Sequence, residues 1–225
     1  MAIENLPALL SNVTDWVNKI LDILWLRIAE KVGDAASEVV KKIFADGVYE
    51  VLDQDSTLEI HDPRGIRGTF SKTRKIRYLQ NNVVAIQDYA WGDGIILLNY
   101  HTSHGKPVDL YRSGFKTYIL LSLREVMNNG DVDEFNIRWN IRQGFLTPDG
   151  YWGTDIGQRT RHIRLHVIFP KTRPPMRLTL EENTRQRTQV LNNESVQQLA
   201  DGRWQVLWEK DNPRLHELYV LRWIW

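Results

Sequence analysis

The chain contains no cysteine among its 225 residues. That excludes disulfides, thiolate metal sites and a cysteine nucleophile, and it fits a reducing compartment. Net charge is almost absent as well, because 29 basic residues face 28 acidic ones. There is no chain-wide field of the kind that gathers nucleic acid nonspecifically. Long apolar runs are missing too: Asp15, Lys19, Asp22, Arg27, Glu30 and Lys31 interrupt the one stretch that approaches the roughly 20 apolar residues of a transmembrane helix. Glu4 stands where an export signal carries positive charge, so the expected location is cytoplasmic. Neither a phosphate loop, a dinucleotide glycine fingerprint, a nucleophile elbow nor an H-E-x-x-H pair occurs, and no repeat of solenoid or propeller period is found.

What is present is apolar bulk, 42% of residues with nine tryptophans, enough for one large domain or for a main domain with a small appendage. Between Leu6 and Val32, the residues Leu9, Val13, Trp16, Ile20 and Leu24 recur at the period of an amphipathic helix. Ile23, Trp25 and Leu26 widen that stripe beyond what one packing neighbour would cover. These eight residues are the candidate partner-binding surface, for another protein or a second copy of the chain. A membrane surface is the less favoured partner, because acidic and basic residues mix on the polar face. A second helical stripe runs from Ala35 to Leu52. Together the two predict a helical hairpin over residues 1–53.

Residues 46–62 hold acids without a lysine or arginine, and residues 64–77 hold lysines and arginines without an acid. Opposed blocks of this kind pair within a fold or between copies, or simply form solvated faces, the reading preferred on the sequence. Asp62-Pro63-Arg64-Gly65 is a turn signal, and an acidic connector is expected over 54–66. From there the chain reads as short strands with turn chemistry between them, which predicts an antiparallel β-sandwich over residues 67–225. Phe135, Ile137, Trp139 and Ile141 alternate with polar residues, as do Ile163, Leu165, Val167 and Phe169. Leu218 to Trp225 is apolar on both faces except at Arg222, as an internal strand is. Val83 to His101, with Gly92-Asp93-Gly94 at its middle, predicts a central β-hairpin with a tight turn.

Three constellations could carry chemistry. Residues 159–187 hold eight basic residues against Glu181 and Glu182, so Arg161, Arg164, Arg173 and Arg177 are candidate anion-binding residues for nucleic acid or a phosphorylated ligand. The competing reading places them on outer strand faces, where they discourage edge pairing. His101 and His104 beside Asp109 suggest a metal-assisted hydrolase, but the spacing is unspecific, and His162 and His166 are too far apart on a strand to share an ion. Asp88, Asp93, Asp131, Asp133 and Glu134 read as turn formers or as an oxygen-ligand site. Trp91 and Trp152, beside glycines, are the candidates for exposed aromatics, whereas Trp139, Trp204, Trp208 and Trp223 fall in core phase. The sequence thus predicts a mainly β, non-enzymatic interaction or regulatory protein. No catalytic residue, metal or cofactor is assigned, and nucleic acid is a partner not favoured.

Overall fold

The computed structural model describes residues 47–191 and 195–225. The eight candidate partner-binding residues, and the predicted helical hairpin as far as residue 46, lie outside the described residues. The chain divides after Ala45, and residues 46–225 form one compact unit.

That unit is built of strands, with no α-helix among the described residues. In chain order they are β1 (Tyr49–Ile60), β2 (Arg67–Tyr78), β3 (Val83–Ala90), β4 (Ile95–Thr102), β5 (Lys106–Ser113), β6 (Lys116–Met127) and β7 (Val132–Arg142). There follow β8 (Asp149–Asp155), β9 (His162–Phe169), β10 (Arg177–Glu182), β11 (Arg187–Val190), β12 (Val196–Gln198), β13 (Trp204–Asp211) and β14 (Leu218–Ile224). They form a seven-stranded sheet in the order β12-β13-β9-β1-β2-β7-β4, a four-stranded sheet β11-β10-β14-β8 and a three-stranded sheet β3-β6-β5. The result is a β-sandwich-like all-β fold. It is not wholly antiparallel, since β1 runs parallel to β9 with Gln54 opposite Ile163 and Leu58 opposite Val167.

The alternating strands behave as period-two arithmetic requires. Phe135, Ile137, Trp139 and Ile141 of β7 are buried, and Ile163, Leu165, Val167 and Phe169 of β9 are sealed from solvent completely. β14 is internal, with β10 on one side and β8 on the other. Trp223 on it packs edge-on against Phe169 at 5.2 Å, and Trp225 donates its indole N–H to the Thr147 carbonyl at 2.9 Å. Burying these large rings is worth several kcal/mol of transfer free energy, at about 25 cal/mol per Å².

Two boundaries differ from the sequence expectation. Residues 49–60 are a full strand rather than a helix end and an acidic connector. The acidic block of β1 lies antiparallel to the basic block of β2, so that Glu50 faces Arg77 and Asp53 faces Lys75. Arg77 and Arg161 both reach the Glu50 carboxylate, at 3.1 and 3.0 Å. Cross-strand charge pairing therefore outweighed the weak helical period of Val48, Val51 and Leu52.

The central hairpin is likewise absent, because β3 and β4 do not pair. β3 is an edge of the three-stranded sheet and β4 an edge of the seven-stranded one. Gly92-Asp93-Gly94 turns the chain from one sheet to the other. Gly94 holds φ +76° with the Arg142 carbonyl only 2.4 Å from where a Cβ would stand. β4 is further broken by register shifts, with Leu97 and Asn99 at φ 62° and 54°.

The turn from β1 to β2 is specified more tightly. The Asp62 carboxylate accepts backbone N–H bonds from Arg64, Ile66 and Arg67, at 3.1, 3.3 and 2.9 Å. Burial alone would raise its pKa, but these three donors and Arg67 outweigh that and hold it below the ordinary value. Gly65 in the same turn has φ +69°, and a Cβ there would lie 1.8 Å from the Phe145 carbonyl oxygen. Gly65→Ala is therefore expected to lower unfolding free energy by about 1–3 kcal/mol or more, read as a shift in urea midpoint. A midpoint within error of wild type would contradict the geometry.

Candidate functional site

Strand phase places a polar layer where the core should be apolar. On β2 the inward positions are Phe70, Lys72, Arg74, Ile76 and Tyr78, and all five are buried. On β1 they include Gln54 and Ser56, on β8 Thr154, and on β3 Asp88 sits between Ile86 and Ala90. Asp88 is fully buried, and Lys72 and Arg74 are 5% and 7% exposed. Burying charges is tolerated only with partners, and here the partners come from different sheets.

Lys72 Nζ donates to Asp88 Oδ1, and Arg74 Nη2 lies 3.7 Å from the same oxygen. Tyr100 on β4 donates its hydroxyl to Asp88 Oδ2 at 3.2 Å. Arg74 Nε donates to Gln54 Oε1 at 2.9 Å, while Gln54 Nε2 donates to Thr154 Oγ1 at 3.3 Å and more weakly to Ser56 Oγ at 3.4 Å. Two cations thus share one carboxylate. No other carboxylate pairs with Lys72 or Arg74 among the described residues, and the layer carries one unbalanced positive charge at neutral pH.

Burial first, and the neighbouring charges second, set the titration behaviour. Burial, then repulsion from Arg74, pushes the Lys72 ammonium down to about 8 against the opposing pull of Asp88. Burial alone would raise Asp88, but Lys72, then Arg74, hold it below the ordinary carboxylate range. Burial raises the Tyr89 phenol, against the pull of Arg74, and raises Tyr100 with help from Asp88.

A cleft of about 490 Å³ opens on this layer, a size common among small-molecule sites. Arg74 and Gln54 line its floor. Val48, Val51, Ile86, Leu120 and Ile156 give it apolar wall, and Gln87, Tyr118, Gln158 and Thr160 give it polar wall. Lys116 of β6 is paired with Asp155 of β8 and lies 4.7 Å over the Tyr89 ring, whose hydroxyl donates to the Asp155 carbonyl at 2.7 Å. That second cation is neutralised. Gln54, Arg74 and Tyr89 also border a chamber of about 40 Å³ that reaches Lys72, Ser56 and Thr154. These three side chains line both spaces.

The residues singled out in the sequence sit elsewhere. Arg164 pairs with Asp55 at 3.0 Å and Glu209 at 3.3 Å, and Arg161 with Glu50. Arg173 donates to the Pro63 and Thr147 carbonyls and lies 3.6 Å over the Trp225 ring. Arg177 opens β10 in a different sheet. Three of the four are engaged within the fold, so an anion patch made of them would have to break those contacts. His104 faces Asp133 at 3.3 Å, whereas Asp109 accepts from the Leu110 N–H on β5. His101, His104 and Asp109 are not gathered around one point, and no group of three or more metal-ligating side chains occurs among the described residues. His162 and His166 lie on the polar face of β9, bonded to Asp211 and Gln205.

Trp91 and Trp152 are half-buried. Trp91 stacks on Tyr151 at 6.1 Å, and Trp152 meets Phe70 edge-on at 5.8 Å. Trp139 and Trp223 are core residues, with Trp204 and Trp208 packed at its margin. Asp131 caps the Asn128 turn and Asp133 accepts from Tyr78, but Asp88 is no turn former. The signal for it was in the sequence: Lys72, Arg74 and Asp88 occupy the inward phase of their strands.

Comparison with known proteins adds little. No family model and no curated protein matches the chain. Among solved structures, a protein of Parabacteroides distasonis described as a protease candidate is 9% identical, with a TM-score of 0.48 over 80% of this chain and 41% of that one. This chain spans about two fifths of that protein's length. At that level of likeness nothing about activity passes between them.

Asp88→Asn leaves two cations buried without their carboxylate and is expected to cost about 3–5 kcal/mol, read by urea denaturation. The double variant Lys72→Met, Asp88→Asn should lose less than the single one. Between pH 8 and about 10 the unfolded chain holds the Lys72 proton more firmly than the folded one. Raised tyrosines such as Tyr89 and Tyr100 act in the opposite sense toward pH 10 in both proteins, so the unfolding free energy of the wild type should rise over that interval relative to that of Lys72→Met. Parallel pH profiles for the two proteins would refute the assignment.

Proposed function

We propose that the chain is a non-enzymatic interaction protein, regulatory in role and cytoplasmic in setting. Its all-β unit serves as a platform with a small-molecule cleft, and the apolar segment over residues 6–32 docks a protein partner or another copy of the chain. The observation that carries the reading is the division after Ala45. Among the described residues a core runs from Tyr49 to Trp225. The stripe of Leu9, Val13, Trp16, Ile20 and Leu24, widened by Ile23, Trp25 and Leu26, lies on the other side of that division. Its breadth is what calls for a covering partner. The absence of cysteine supports the cytoplasmic setting.

A binding role also suits the groups beneath the cleft. Lys72, Asp88, Tyr100, Arg74 and Gln54 are tied to one another by hydrogen bonds and ion pairs, and such a network holds charge in a fixed place. Among the described residues no helix is long and apolar enough to cross a membrane.

The test is Trp16→Asp with Leu24→Asp in the full chain. Sedimentation velocity is expected to show a smaller species, or affinity capture a lost partner, while far-ultraviolet circular dichroism keeps its β signature. Unchanged sedimentation, capture and solubility would remove the docking role.

A further inference from the structure

We infer that the cleft binds a small organic monocarboxylate, its carboxylate against Arg74 and its apolar body along Val51, Ile86, Leu120 and Ile156. The inference rests on reading the β unit as a binding platform, and it adds the chemical class of the ligand. Arg74 is the deciding residue. It is 93% buried, given its 7% exposure, yet it lines the cleft. Its Nε is taken by Gln54, its Nη2 stands 3.7 Å from an Asp88 oxygen that already accepts from Lys72, and the buried Tyr49 hydroxyl at the same cleft takes up a further part of the guanidinium. A guanidinium has five N–H donors, so part of its capacity remains for a planar acceptor on the cleft side, the geometry in which arginine holds carboxylates.

Charge fixes the class. Lys72 and Arg74 against Asp88 leave one positive charge, and Lys116 against Asp155 leaves none. One negative charge on the ligand balances the site, whereas a dianion such as a phosphate monoester would reverse its sign and leave an uncompensated charge in a desolvated floor. The apolar wall adds the second requirement. A carboxylate without an apolar body would leave that wall wet, and an apolar body without a carboxylate would leave the buried charge unmatched.

The experiment uses the full chain and four probes of matched length: octanoate, octanol, octylamine and octyl phosphate, followed by calorimetric titration and thermal shift. Octanoate is expected to bind saturably and raise the melting temperature, with octanol and octylamine at least tenfold weaker and octyl phosphate weaker than octanoate. Arg74→Met should weaken octanoate by tenfold or more. Since that change also touches the buried layer, Gln87→Glu, at an exposed position of the cleft lining whose amide donates to the exposed Tyr111 hydroxyl, provides a second reading outside that layer and should weaken octanoate by threefold or more. Absence of octanoate binding overturns the proposal. So does equal binding of octanol, preference for octyl phosphate, or octanoate affinity unchanged in both variants. Repeating the titration in Trp16→Asp, Leu24→Asp separates the two proposals. Octanoate binding that persists when docking is lost, or when docking was never observed, supports the cleft assignment on its own.

Discussion

One buried carboxylate, Asp88, is shared by Lys72 and Arg74, and the interior of the β unit is arranged around that fact. A carboxylate stripped of water costs several kcal/mol unless its lone pairs are met. Here Lys72 and Tyr100 each donate to one oxygen, and Arg74 adds its charge. The three partners arrive on β2 and β4, strands of the seven-stranded sheet, whereas Asp88 stands on β3 in the three-stranded one. Apolar contacts between sheets tolerate some sliding, but a hydrogen-bonded ion cluster does not. The cluster therefore fixes how the two sheets register against each other.

That constraint explains the corner at Gly92–Gly94. Had β3 and β4 formed the hairpin that their sequence suggests, Asp88 and Tyr100 would lie in one sheet and could not meet across the interior. By switching sheets at the corner, the chain brings Tyr100 across the interior to the Asp88 carboxylate. The cost is an irregular β4, with residues at positive φ and a broken register. Edge position makes this tolerable, because only one side of β4 has ladder bonds to satisfy.

Much of the architecture was legible from the residues: the strand-rich span, the buried phases of β7 and β9 and the internal place of β14 all follow from period-two alternation and turn chemistry. The errors have a common cause. Helical period in Val48, Val51 and Leu52 is a local signal, and the glycine turn after β3 is another, whereas the interactions that overruled them are nonlocal. Glu50 meets Arg77 and Arg161, and Asp88 meets Lys72 and Arg74, only once the sheets have assembled. The site was obscured in the same way. A run of arginines on the outer faces is conspicuous in sequence yet largely satisfied by Glu50, Asp55 and Glu209. Single charges at inward phase are inconspicuous, although each breaks the pattern of its strand, and such local violations of a folding rule are where function tends to reside.

Retaining an unbalanced cation in an interior is unfavourable by itself, and a second carboxylate at Gln54 would have neutralised it at small change in volume. Gln54 instead orients Arg74 through its oxygen and reaches Thr154 through its nitrogen, holding the guanidinium without cancelling its charge. A neutral brace of this kind leaves attraction for an anion available at the floor of the cleft while removing the freedom of the group that would bind it. Preorganisation of that sort lowers the entropy lost on binding. It also accounts for the contrast with Lys116 at the same cleft, whose charge is taken up by Asp155. One cation there is committed to holding β6 against β8, and the other is braced but left uncancelled.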